Sequence, residues 1–220
     1  YPAANEDIQG VFKSLFTEEQ IACSLNTDKG QKPQLPEIII AADSSAASIA
    51  CSLIFNLRDR YRSCIKQVLF FSPWLDFSNC SKIITTKKIS DEVMSGDVLR
   101  KSSSVYTYES NTSSPFVSPL LAGDDALTNF PPVFIQMGEK EILLDDAKEF
   151  AKNLTDAGNQ CELDVWPNMM VMFQMADEYL HESHLALDKV GKVVTECTAG
   201  QQAVEIENKR KLEHSLRSES

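Results

Sequence analysis

The residues best placed by type to do chemistry lie in IIIAADSSAAS, Ile38 to Ser48, where an apolar run gives way to small residues around Ser44. The pattern reads as a buried strand, a tight turn and a helix. A serine held in such a turn carries its Oγ at the start of the helix, where it can attack an acyl carbon. The backbone there is crowded, so the residues two before and two after the serine must be small, and glycine is the rule. Here they are Ala42 and Ala46, each one methyl larger. Taken alone, the motif fits a nucleophile or a structural serine in a small-residue turn.

A serine nucleophile works only with partners from distant parts of the chain. Four short apolar runs supply the strands that would gather them: Glu37–Ala42, Gln67–Ser72, Pro132–Gly138 and Cys161–Trp166. Between and around them, helical spacing predicts helices over residues 3–17, Ser45–Asn56, Asp145–Ala157 (closed by Gly158) and Ala176–Val194. The first would bury Ile8, Val11, Phe12, Leu15 and Phe16. The last would bury Leu180, Leu185, Leu187 and Val190. Residues 79–115 are rich in Ser, Thr and Lys and read as an irregular excursion with helical pieces near Asp91–Arg100.

Strand alternating with helix implies a parallel sheet covered on both faces. Right-handed crossovers would set the four strands side by side in chain order. In such sheets the chemistry gathers beyond the carboxyl ends of the strands. Ser44, Glu141 and Val171 each fall just past one of those ends.

Composition narrows the function. The net charge of −11 argues against nucleic acid and anionic membrane surfaces as partners. No apolar run approaches the ~20 residues that span a bilayer, and no signal peptide opens the chain, so a cytoplasmic location is expected. The six cysteines, Cys23, Cys51, Cys64, Cys80, Cys161 and Cys197, show no C-x-x-C pairing, so reduced thiols are expected and neither a metal nor a cofactor is.

Several segments together resemble the hormone-sensitive-lipase branch of the α/β-hydrolase serine esterases. YPAANED is similar to the segment opening the helix before the elbow, and AADSSAASIA to G-D-S-A-G-G-N-L-A. FFSPWLD matches the following strand with its S-P-W-L-D exit. SPLLAG and PPVFIQMGEKEILLDDAKEFAKNL resemble the acid-bearing part, and ELDVWPNMMVMFQMADEYLHES the histidine-bearing part. The likeness runs in order from Tyr1 to about Val194. It implies the C-terminal part of an α/β-hydrolase fold over residues 1–196, followed by a charged tail over 197–220.

The resemblance also implies roles: Ser44 as nucleophile, Glu141 as the acid with Asp145 as alternate, and the Ser45 N–H as an oxyanion donor. The family's M-x-H-x-F-Q reads MMVMFQ here, so its histidine position holds Val171. Valine can neither take the serine proton nor return it. The only histidines are His181 and His184, opening the last helix, and His214 in the tail. The H-G-G-G loop that would complete the oxyanion hole is absent, and in the family it precedes the region resembling Tyr1, together with the first half of the sheet. The first strand would then be a bare edge. The expected function is that of a carboxylesterase or lipase relative impaired in catalysis, with a small apolar ester as substrate if active. A non-catalytic binding protein, or a fragment without independent function, is the alternative.

Overall fold

Four apolar runs form the sheet, in the order and direction that right-handed crossovers require. The computed structural model describes residues 1–18, 20, 35–78 and 91–198. His214, Cys23, Cys80, the part of the 79–115 excursion before Asp91, and the tail beyond 198 lie outside the described residues. The strands are β1 (Ile38–Asp43), β2 (Ile65–Phe71), β3 (Val133–Gly138) and β4 (Cys161–Trp166), all parallel and neighbouring in that order. The register sets Ala42 beside Phe70, Val68 beside Val133 and Ile135 beside Leu163. β3 is buried at every position, so both of its faces are covered, as its mostly apolar sequence, interrupted by Gln136, requires.

Helix α1 (Ala3–Ser14) packs on α2 (Ala46–Asn56), which in turn lies against β1. The short α3 (Asp59–Arg62) leads into β2, and the excursion after β2 contains α4 (Gly96–Tyr106), five residues later than the sequence places its helical piece. Its Ser95 N-cap accepts the Val98 N–H at 3.3 Å, which fixes the start. The four-residue α5 (Asp124–Leu127) precedes β3, and α6 (Leu144–Asp156) packs on β3 and β4. Gly158 follows α6 at φ +83°, its N–H bonded to Thr155 O at 2.9 Å, as a left-handed helix end requires.

Two expected apolar faces differ from those observed. Of the apolar residues expected on the buried face of α1, Phe12 and Phe16, just past its end, are buried and Ile8 is partly so, whereas Val11 and Leu15 are exposed. Both line an apolar groove of about 550 Å³, bounded by α1, α2 and the free edge of β1, that holds Ile39 and Ile49. Nothing among the described residues pairs with that edge. Helix α1 is held instead by buried Asn5, whose Nδ2 donates to Ser52 Oγ and Phe116 O and whose Oδ1 accepts the Tyr106 hydroxyl.

The described residues divide into two units, one ending at Phe173 and one beginning at Gln174. The second contains a helix over 181–198, which starts later than expected. Its buried residues are Ser183, Ala186 and Val190, while Leu185 and Leu187 are exposed. The helical period explains the difference: positions three and four apart share a face, and two residues apart do not. Among the described residues, no helix is long and apolar enough to cross a membrane.

Candidate active site

The turn after β1 is tight and left-handed at Ser44 in spite of its alanines. Ser44 takes φ +52°, a left-handed conformation that costs a residue with a Cβ on the order of 1–2 kcal/mol. Neighbouring backbone holds it there. The Ser44 N–H donates to Phe71 O at 3.0 Å, and Ser44 O accepts the N–H groups of Trp74 at 3.0 Å and Ala47 at 3.2 Å. Ser48 Oγ donates to Trp74 O, so the S-P-W exit of β2 is tied to both sides of the elbow. Ala42 is buried and Ala46 exposed beside the β1 edge, where a methyl is accommodated. Ser45 is the N-cap of α2, at the helix end where backbone N–H groups favour negative charge.

Glu141 lies in the turn between β3 and α6 and is 2% exposed. Its Oε1 accepts the Gly138 N–H at 2.5 Å and the Ser72 hydroxyl at 2.8 Å. Its Oε2 is buried with no hydrogen-bond partner among the described residues. Burial pushes this carboxyl up from the ordinary 4.5 to about 7; the Gly138 and Ser72 hydrogen bonds oppose the rise, and the negative charges of Asp91 and Asp43 add to it. Asp145, the alternate acid, is exposed in the first turn of α6, where a carboxylate suits the helix dipole.

The loop after β4 meets this turn through backbone. Lys140 N–H donates to Met169 O at 3.0 Å, and Asn168 N–H to Glu139 Oε2 at 2.9 Å. Gly138 permits the approach, because a Cβ there would stand 2.3 Å from Met169 O. The Met172 N–H then donates to Ser72 Oγ at 3.3 Å. Val171, one peptide away, is 3% exposed. His181 and His184 belong to the second unit and are exposed at the start of its helix; His184 Nδ1 lies 3.0 Å from Asp177 Oδ1.

Ser72 is the residue that sequence reasoning missed. It is fully buried, at φ +45°, and its one hydroxyl joins the acid-bearing turn to the loop carrying Val171. The signal was available: a hydroxyl ending an otherwise apolar strand directly before a proline is buried, and a buried hydroxyl needs partners.

Residues 1–175 match the alpha/beta hydrolase fold family. The chain belongs to that family. It is 29% identical over 196 residues to an esterase of Acinetobacter venetianus, covering 89% of this chain and 59% of that protein. To an acetyl-hydrolase of Streptomyces hygroscopicus it is 27% identical over 198 residues, covering 90% and 61%. The chain thus spans about three fifths of the length of these relatives. Among solved structures, an esterase of the bacterial hormone-sensitive lipase family superposes with a TM-score of 0.63 at 25% identity, covering 72% of this chain and 52% of that one. A hormone-sensitive lipase from a metagenome library gives 0.68 at 22%, covering 89% and 62%. The expected alpha/beta hydrolase family is therefore borne out, and so is the parallel α/β architecture.

Proposed function

We propose that this alpha/beta hydrolase chain retains the nucleophile and acid of a carboxylic ester hydrolase but lacks the base between them, and so does not turn esters over at an enzyme's rate. The observation that carries the reading is Glu141 Oε2. A buried carboxylate oxygen without a partner is costly. An imidazole N–H at position 171 is the donor that would satisfy it, and Val171 supplies none. In a serine hydrolase the acid orients the imidazole, and the imidazole takes the serine proton and returns it to the leaving alcohol. Without that base, rate losses on the order of 10⁶ are typical. The relatives named esterase and acetyl-hydrolase point to small acyl esters as the ligand class.

The left-handed turn kept at Ser44 favours a second reading, residual esterase activity. Turnover of p-nitrophenyl acetate separates the two. The chain is expected to match its own Ser44→Ala variant. A rate at least tenfold above that variant would sustain the second reading and remove the first.

A further inference from the structure

We infer that Glu141 and Ser72 form a proton-linked latch, which holds the loop 169–173 onto the end of the sheet while Glu141 carries a proton and loosens it when the proton leaves. The inference rests on the reading of Val171 as the histidine position, although it requires no catalysis.

The latch is a short chain of contacts. Ser72 donates to Glu141 Oε1 and accepts from the Met172 N–H, so a single hydroxyl couples the carboxyl to the loop. In the neutral acid, Oε1 keeps its two donors and the proton sits on Oε2, the oxygen with no partner. In the ionised acid, Oε2 is a buried charge that needs a donor, and water is the donor at hand. Water reaches it only if something above the carboxyl moves.

The loop after β4 is the element least able to resist. Met172 takes φ +59°, a strained conformation for a side chain of its size, and Asn168 takes φ +60°. No ionisable group in 169–173 could balance the charge. The charged groups acting on the carboxyl from neighbouring elements are Asp43 at the end of β1 and Asp91 ahead of α4, both negative. Asp91 also accepts the Ile142 N–H at 3.2 Å, which holds it beside the turn. On the turn itself, Glu139 takes the Asn168 N–H and Lys140 bonds Met169 through its backbone.

The sign follows from linkage. Glu141 binds its proton more tightly in the closed state, near 7, than in an open, solvated one, near 4.5. The closed state's advantage is complete below 4.5, declines as pH rises, and is gone above 7. Opening should become roughly tenfold easier per pH unit across that window and then level off.

Hydrogen–deuterium exchange of the full chain, corrected for intrinsic exchange, tests this at residues 169–173. Protection should fall about 40-fold between pH 5 and 7 in the parent. It should be flat in Glu141→Gln, and in Val171→His, where the imidazole satisfies Oε2. Parallel profiles in the parent and Glu141→Gln would overturn the latch. If Glu141→Gln does not fold, carbon-13 NMR of glutamate carboxyls in the parent decides: one resonance titrating near 7 supports the latch, and all titrating near 4.5 overturns it. Neither readout involves ester turnover, so the latch and the loss of catalysis can fail separately.

Discussion

In a version of the chain extended upstream by an H-G-G-G segment, Val171→His should raise turnover of short p-nitrophenyl esters by ~10²–10⁴-fold, the usual gain from a positioned general base and part of the ~10⁶ that its loss costs an optimised serine hydrolase. The gain is large because, on the proposed reading, the base is the part that is lacking. Ser44 is held at φ +52° by backbone from β2, and Glu141 presents one satisfied oxygen and one without a partner. An imidazole at 171 would add the proton acceptor and give Oε2 its donor in one step. Adding Glu141→Gln should remove most of the gain, whereas Asp145→Asn, on an exposed first-turn residue, should not. In the chain as it stands, the gain should stay below about tenfold, because a missing oxyanion donor alone costs ~10²–10³. Steady-state kinetics of the four extended proteins, and of the unextended parent and its Val171→His variant, checks all of this. A folded Val171→His protein with no gain in the extended form would move the defect from the base to the elbow, where Ala42→Gly with Ala46→Gly is the next change.

Gly138→Ala should be the most damaging single methyl in the site. The added Cβ would meet Met169 O at 2.3 Å, Met169 C at 2.6 Å and Met170 O at 2.9 Å. All three are backbone atoms, so no side chain can turn aside, and the loops after β3 and β4 must separate. Overpacking of this kind costs about 3 kcal/mol, at the upper end of its range. For a domain of this size that is a fall in Tm of roughly 6–12 °C. A thermal melt followed by circular dichroism measures it. A Tm within about 2 °C of the parent would mean the two loops are less tightly joined than the Lys140 and Asn168 hydrogen bonds indicate.

The sheet was legible in the sequence because its strands are short, apolar and separated by helices. With right-handed crossovers, those facts leave one order for β1 to β4. The positions of Ser44, Glu141 and Val171 followed, since each stands at a strand's carboxyl end. Helix faces were harder to read. Val11 and Leu15 are apolar and at helical spacing, yet they line the groove beside the β1 edge, which has no strand partner among the described residues and which periodicity cannot see. Leu185 and Leu187 were grouped by type although they point about 200° apart on a helix. Ser72 escaped because its importance lies in two contacts, one of them made 69 residues away and the other 100. Glu141 Oε2, without a partner among the described residues, is likewise a property of the folded site alone, although Val171 in MMVMFQ announced it indirectly.

The central claim is that Ser44 stands in a catalytic turn with no base to activate it. Intact-mass analysis after exposure to a fluorophosphonate probe tests it most directly, because the adduct reports the reactivity of the hydroxyl itself and needs no turnover. The parent chain should gain no adduct over hours, and its spectrum should match that of Ser44→Ala. A stoichiometric adduct within minutes, lost in Ser44→Ala, would contradict the account and mean that another group takes the Ser44 proton.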